Sequence, residues 1–137
     1  MVVSKQTRET GLPTKPLISI VDDDETFRES VTALIKSMGF TVEAFASAVD
    51  FLASPNVRKT SCLISDVQMP GMTGIELHSR LVKTGYAIPT ILITAYPEDS
   101  VRARVLADGI IGYLSKPLDQ DVLLGCVRSA LDRATPD

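Results

Sequence analysis

The sequence has little of several features that would each identify a class of protein. Among its 137 residues, 14 are basic and 17 are acidic, so the net charge is -3 and the surplus of positive charge that binds nucleic acid is missing. No apolar run approaches the roughly 20 residues that a membrane span needs. The N-terminus also has no secretory signal. We therefore expect no direct binding to nucleic acid and no association with a membrane.

Cysteine is scarce as well. The chain has two cysteines, Cys62 and Cys126, which are far apart in sequence and lie in apolar runs. This placement favours buried thiols in a reducing compartment over a disulfide. We therefore predict a cytoplasmic location.

What the sequence does contain is a regular alternation of strand and helix patterns. Its 45% hydrophobic content is enough for one compact domain. We predict that domain over residues 17–134, between a flexible polar tail at residues 1–16 and a C-terminal end at residues 135–137 with no output domain. The predicted strands are residues 17–21, 41–45, 62–65, 88–94 and 110–114. The predicted helices are residues 26–38, 47–53, 73–84, the segment between Pro97 and Gly109, and residues 119–133.

This alternation predicts an α/β fold, a doubly wound five-stranded parallel sheet with five helices. Each strand needs a crossover helix to reach its parallel neighbour, and these crossovers place helices on both faces of the sheet. In such sheets the ligand lies outside the carboxyl ends of the strands. The residues that directly follow the strands are therefore the first candidates for a site.

Complementary polar groups follow four of the predicted strands. They are Asp22, Asp23 and Asp24 after the first, Asp66 after the third, Thr94 after the fourth and Lys116 shortly after the fifth. Clustered carboxylates repel one another unless a proton or a cation lies among them. Oxygen ligands favour a hard divalent ion, and Mg²⁺ is the usual ion where phosphate chemistry is involved.

The joint pattern predicts attack by the Asp66 carboxylate on a phosphoryl group. Mg²⁺ held by Asp22 and Asp23 would screen the repulsion between the two anions. Lys116 would add a second positive charge, and the Thr94 hydroxyl would donate a hydrogen bond to the transferred group. That last contact would turn the chemistry into a structural signal.

Each of these residues also has an ordinary structural interpretation. The acids at residues 22–25 can complement the N-terminal dipole of a helix, and Asp24 is expected to do only that. Asp66 can be a turn residue. Thr94 can be a strand-end hydroxyl, and Lys116 a solvated surface lysine. Four strand ends supplying complementary groups favour the phosphoryl-transfer interpretation.

On these residues, the sequence resembles the receiver domains of two-component response regulators, in particular the FixJ-like class. The resemblance covers about residues 17–131 and is carried by the motifs IVDDDETFRESV, LISDVQMPGMTGIEL, ILITAY and GYLSKPL. It implies a flavodoxin-like, CheY-like sheet with strand order 2-1-3-4-5. The expected function is that of a phosphoacceptor signalling protein.

Site roles follow from the resemblance at the matching positions. It implies that Asp66 is the phosphorylation site. It also implies that Asp22, Asp23, Asp66 and the backbone carbonyl of Gln68 bind Mg²⁺. Lys116 is expected to bind the phosphoryl group and to precede a cis bond to Pro117.

The resemblance also implies a switch. Thr94 and Tyr113 are expected to move inward together when Asp66 is modified, although Tyr113 can instead be an edge-strand aromatic in partial contact with solvent. Gln68 and Tyr96 occupy positions that tune the loss of phosphate.

The implied partners are a sensor histidine kinase, as phosphoryl donor, and a second copy of the chain after phosphorylation. The surface of the fourth helix, fifth strand and fifth helix would change on modification; it carries Arg102, Arg104, Tyr113, Asp119 and Asp121. A solvated charged face is the ordinary alternative for these side chains.

The protein is expected to be no enzyme in the usual sense, although it assists its own phosphorylation and dephosphorylation. FixJ-like regulators join a receiver to a C-terminal helix-turn-helix output domain, which is not found here. We therefore expect either a single-domain regulator or the receiver of a transcription regulator.

The main alternative function is a haloacid-dehalogenase-like phosphatase, which also uses a strand-end Asp, a hydroxyl, a Lys and Mg²⁺. Such an enzyme needs a second Asp two residues after the nucleophile. That position is Gln68 here, and an amide cannot transfer protons in that way. The missing GxGxxG and GxxxxGK motifs exclude a dinucleotide-binding module and a P-loop NTPase.

Overall fold

The structure, a computed structural model, describes residues 15–134. Residues 1–14 of the predicted tail and the predicted end at residues 135–137 lie outside this range. Within it, the strands are β1 (Leu17–Val21), β2 (Thr41–Phe45), β3 (Thr60–Asp66), β4 (Thr90–Thr94) and β5 (Gly112–Ser115). The helices are α1 (Glu25–Ser37), α2 (Ala48–Leu52), α3 (Gly74–Thr84), α4 (Asp99–Ala107) and α5 (Gln120–Ala134), and a short 3₁₀ helix covers Val57–Lys59.

The five strands form one parallel sheet in the order β2-β1-β3-β4-β5. The predicted α/β architecture and the strand order 2-1-3-4-5 are thus confirmed. The chain proceeds outward to β2 on one side of β1, then returns to β3 on its other side. This reversal opens a crevice beyond the carboxyl ends of β1 and β3.

Hydrophobic packing covers both faces of the sheet, as the near-continuous apolar strands predict. In β3, Cys62 and Ile64 pack on the face that α1 and α5 cover, whereas Leu63 packs on the face that α2 and α3 cover. Leu92 of β4 and Val105 of α4 belong to a third buried cluster. The strands are therefore held on both sides, which fixes the positions of the residues at their carboxyl ends.

Local hydrogen bonds begin and end the helices at the predicted places. The Asp24 carboxylate caps α1 by accepting the backbone N–H of Phe27. The predicted capping box opens α3, where Thr73 and Glu76 bond reciprocally to each other's backbone. Gly85 ends α3 with a left-handed backbone (φ 90°), which glycine adopts without a steric penalty.

Three predicted strand starts were wrong, those of β3, β4 and β5. β3 begins at Thr60 rather than at Cys62, because the Thr60 hydroxyl pairs with the Ser19 hydroxyl of β1 at 2.8 Å and lets a polar residue join the sheet. β4 begins at Thr90 rather than at Ile88. Pro89 has no N–H to give to the sheet, and only its carbonyl accepts a bond, from Leu63. β5 begins at Gly112 rather than at Ile110, because the backbone N–H of Ile110 is donated to the carbonyl of Val105 in α4 and not to the sheet.

The sequence pattern places Leu106 on the apolar face of α4 and Val122 and Cys126 on that of α5, but all three are more exposed than this pattern predicts. Leu106 of α4 is 42% exposed, because this helix buries a narrow face around Val105. Val122 of α5 is 48% exposed and lines an open cleft beside Tyr113 instead of joining the core. Cys62 is fully buried as predicted, but Cys126 is only half-buried. Within residues 15–134, no helix is both long enough and apolar enough to cross a bilayer.

We predict that Gly74→Ala destabilises the fold by about 2 kcal/mol, because a Cβ at this position would overlap the backbone carbonyl oxygen of Asp66. Urea unfolding would measure the loss. Gly125→Ala in α5 is the matched control. Its Cβ meets no atom within 4 Å, so the alanine should stabilise the helix by about 0.5–1 kcal/mol. Equal effects of the two substitutions would contradict the close contact.

Candidate functional site

Three carboxylates converge at the crevice between β1 and β3. Asp22 and Asp23 directly follow β1, and Asp66 is the last residue of β3. One carboxylate oxygen from each lies within 4.8 Å of the other two. Asp22 and Asp66 are buried, at 2% and 6% exposure, whereas Asp23 is exposed. The cluster is therefore open to solvent on the Asp23 side.

Backbone contacts hold Asp22 in this position. One of its carboxylate oxygens accepts the backbone N–H of Asp24 at 2.8 Å. The guanidinium of Arg28, one turn into α1, donates to the Asp22 carbonyl at 2.7 Å. The loop after β1 and the first turn of α1 are thus tied together, and Asp24 serves as a helix cap, as predicted.

Among the described residues, Lys116 is the one cationic residue that forms an ion pair. Its Nζ lies 3.3 Å from Oδ2 of Asp22 and 3.7 Å from Oδ1 of Asp66. The ammonium group also lies over the ring of Phe27, 4.1 Å from the centroid, where the ring electrons attract it. The peptide bond from Lys116 to Pro117 is cis, as predicted.

Thr94 ends β4 at the same edge, next to Ile93, which pairs with Asp66 in the sheet register. The Thr94 side chain is fully buried, and its hydroxyl donates to Oε1 of Gln68 at 2.9 Å. The hydroxyl oxygen of Thr94 accepts the backbone N–H of Tyr96 at 2.9 Å. The predicted strand-end residues therefore lie together at one edge.

Tyr113 of β5 is buried, at 2% exposure, so its interpretation as an aromatic in partial contact with solvent was wrong. Its hydroxyl accepts the backbone N–H of Glu98, which precedes α4, at 3.2 Å. Arg102 of α4 lies over the Tyr113 ring, 5.0 Å from its centroid, and donates to the Tyr113 carbonyl at 2.7 Å. Arg102 is thereby tied to Tyr113, while Asp119 caps α5 through the N–H of Val122.

The acid cluster changes the electrostatics of Asp66. Burial, followed by the charge of Asp22 and that of Asp23, raises the pKa of Asp66 from 3.8 to about 6, although Lys116 acts in the opposite direction. The charge of Lys116 therefore does not offset the combined effect of burial and of the two neighbouring carboxylates on Asp66. A divalent cation would offset it, and an all-oxygen set of carboxylate donors suits Mg²⁺.

Sequence reasoning missed three contributors to this region. Phe27 was predicted only as an apolar helix residue, and Arg102 only as a surface charge. Arg28 was not singled out at all. The position of Phe27 and Arg28 in the first turn after the acids is the one signal that could have identified them.

Comparison with known proteins agrees with this geometry. The family model described as "Response regulator receiver domain" matches residues 18–128. The chain belongs to this family. Nodulation protein W of Bradyrhizobium diazoefficiens is 36% identical to the receiver over 128 residues, which are 93% of this chain and 56% of that protein. The response regulator protein TodT of Pseudomonas putida is 36% identical over 86% of this chain and 52% of its own length.

A solved structure agrees as well. The crystal structure of FixJ-N is 30% identical to the receiver, with a TM-score of 0.79, and the match covers 90% of this chain and 99% of that one. The receiver spans about half the length of the curated relatives it matches. It is a domain of the two-component signalling type, and the haloacid-dehalogenase-like alternative finds no support in these comparisons.

We predict that Asp66→Asn stabilises the metal-free receiver in a pH-dependent manner. The folded pKa of about 6 lies above the usual 3.8, so Asp66 costs the fold stability as the pH rises through this interval. In EDTA, the mutant should be more stable than wild type by about 2–3 kcal/mol at pH 7.5 and equally stable below pH 4. Urea unfolding at both pH values measures the difference.

Glu29→Gln, an exposed position of α1 away from the cluster, is the matched control and should show no such pH dependence. A stabilisation by Asp66→Asn that is the same at pH 4 and pH 7.5 would contradict the raised pKa of Asp66 as its cause.

Proposed function

We propose that Asp66 is the phosphoacceptor of this receiver. The observation that carries the proposal is the convergence of Asp22, Asp23 and the Lys116 ammonium on the Asp66 carboxylate. The neighbouring carboxylates would hold a cation beside Asp66, and Lys116 supplies a fixed positive charge 3.7 Å away. Both favour the approach of an anionic phosphoryl group.

In the proposed reaction, one Asp66 carboxylate oxygen forms a bond to phosphorus while the bond from phosphorus to the donor nitrogen breaks. The donor is a phosphorylated imidazole that carries a proton on its other ring nitrogen, so the ring leaves with the bonding electron pair as neutral imidazole. Lys116 lies 3.7 Å from Asp66 and would contact a phosphoryl oxygen once it forms. Thr94, at the end of the adjacent strand, would donate a hydrogen bond from its hydroxyl to another phosphoryl oxygen.

We propose Mg²⁺ as the ion of this site, held by Asp22, Asp23, Asp66 and the backbone carbonyl of Gln68. The donor set fits, because the three carboxylate oxygens lie within 4.8 Å of one another and one side of the cluster is open to solvent. When bound, the ion would neutralise charge between the carboxylate and the incoming phosphoryl group.

We propose a sensor histidine kinase as the phosphoryl donor, and the cytoplasm as the location. FixJ of Bradyrhizobium diazoefficiens, 33% identical over 125 residues, is named a transcriptional regulatory protein. The receiver would therefore act in transcription, either as part of such a regulator or by docking on a partner. It would assist its own phosphorylation and dephosphorylation without converting a separate substrate.

We further propose that modification of Asp66 changes the surface formed by α4, β5 and α5, and that this surface supports a homodimer. The support is the contact set around Tyr113, which links β5 to the N-terminus of α4 through Glu98 and to its first turns through Arg102. A change at Tyr113 would therefore move α4.

Phosphorylation by a small-molecule donor tests the acceptor. Incubation with acetyl phosphate and Mg²⁺ should add one phosphoryl group to wild type and none to Asp66→Asn, because the amide is no nucleophile here. Intact mass measures the addition. Lys116→Ala should slow labelling by about tenfold or more, since it removes the fixed positive charge.

Asp99→Asn, at the exposed start of α4, is the control and should label as wild type does. Label retained by Asp66→Asn would place the chemistry elsewhere. Sedimentation of the labelled and unlabelled protein tests the dimer, and a monomer in both states would count against it.

Metal binding has a test that does not require phosphorylation. At 10 mM Mg²⁺ the melting temperature should rise by about 3–6 °C, because the ion binds the fold and relieves carboxylate repulsion. Asp23→Ala should abolish most of the shift. Asp24→Ser is the matched control, since serine keeps a cap for α1 and removes a charge outside the cluster. Loss of the shift in both variants would indicate nonspecific screening.

A further inference from the structure

Both the proton and the oxygen of the Thr94 hydroxyl take part in hydrogen bonds in this structure. A threonine hydroxyl carries a single proton, and here that proton goes to Oε1 of Gln68 at 2.9 Å. The hydroxyl oxygen of Thr94 itself accepts the backbone N–H of Tyr96 at 2.9 Å. Because the Thr94 side chain is buried, bulk water offers it little alternative. A phosphoryl oxygen on Asp66 can therefore receive this proton only if Gln68 gives it up.

Tyr113, the other residue of the expected switch pair, makes different contacts. Tyr113 is already buried and is held there by Glu98 and Arg102. The inward position of Tyr113 thus coexists with a Thr94 hydroxyl that is bonded elsewhere. Modification of Asp66 would therefore not need to bury Tyr113. It would need to move the Thr94 hydrogen bond from Gln68 to the phosphoryl group.

We propose that the Gln68 side chain is an internal competitor for the Thr94 proton, which holds Thr94 in its unmodified arrangement and lowers the affinity of the site for a phosphoryl group. This inference rests on the proposed function of Asp66. Gln68 is a positioning residue in this scheme, because its side chain acts on the phosphoryl group only through Thr94. Its backbone carbonyl keeps the separate role of metal ligand.

The competition has a defined direction. Gln68 is an exposed residue with a neutral amide acceptor, so its bond to Thr94 is of ordinary strength. A phosphoryl oxygen is charged and accepts a stronger bond. On phosphorylation the Thr94 hydroxyl therefore donates its hydrogen bond to the phosphoryl oxygen. The free energy of the lost bond to Gln68 reduces the net gain in free energy. If Gln68 offers no acceptor, the proton of the buried Thr94 hydroxyl lacks an acceptor before modification, and the gain on modification becomes larger.

Beryllofluoride, a phosphoryl analogue, provides the test at saturating Mg²⁺, with ¹⁹F NMR measuring the bound fraction. Gln68→Met removes the amide acceptor and keeps the chain length. We expect it to bind the analogue about three- to tenfold more tightly than wild type, which corresponds to one ordinary hydrogen bond. The same substitution in a Thr94→Val background should change the affinity less than twofold, because no proton is left to compete for.

Two controls separate this effect from a general change in the site. Gln120→Met, the same substitution at an exposed position of α5, should bind the analogue as wild type does. The affinity of Gln68→Met for Mg²⁺ alone should also equal that of wild type, because the backbone carbonyl remains. A changed Mg²⁺ affinity that accounts for the tighter analogue binding would overturn the proposal.

Unchanged analogue affinity in Gln68→Met, or equal tightening with and without Thr94, would also overturn it while leaving the phosphoacceptor role of Asp66 intact. A wild-type protein that shows no bound analogue, or one that binds it equally well as Asp66→Asn, would instead contradict the proposed function itself.

Discussion

The crowding of negative charge at the carboxyl ends of β1 and β3 is the constraint on which the site depends. Asp22 and Asp66 are buried beside each other, and Lys116 is the only described cation within ion-pair distance of them. Burying like charges together opposes folding unless a proton or a cation joins them. Burial together with the charges of Asp22 and Asp23 raises the pKa of Asp66 in spite of the nearby Lys116. A cation held by the three carboxylates, as we propose, would relieve this repulsion.

The sheet supplies the rigidity that such an arrangement needs. Parallel strands end at a common edge, so residues that are 44 positions apart, Asp22 and Asp66, become neighbours through the pairing of β1 with β3. Helices on both faces fix each strand by its apolar side chains. The repulsion among the acids is thus opposed by packing spread over the whole domain, and the carboxylates cannot relieve it by moving apart.

The sequence allowed the fold and the membership of the site to be predicted, because both depend on patterns along the chain. Apolar runs located the strands, and Thr73 with Glu76 located the start of α3. The start of β3 and the exposure of Val122 could not be predicted, since they depend on which neighbour a residue meets across the sheet or at a cleft. The contact of Lys116 with Phe27 and the hydrogen-bond partners of Thr94 and Tyr113 could not be predicted for the same reason, since they depend on side-chain rotamers.

The contact between Thr94 and Gln68 illustrates how much of a switch such rotamers decide. The paired movement of Thr94 and Tyr113, which the resemblance implied, stays a prediction; in this structure both side chains are buried, and Thr94 is bonded to Gln68. A hydroxyl with a single proton can serve one acceptor at a time, so the two residues need not respond to modification to the same extent. In the proposed scheme, a single exposed side chain, that of Gln68, adjusts how favourable the hydrogen bond from Thr94 to the modified Asp66 is.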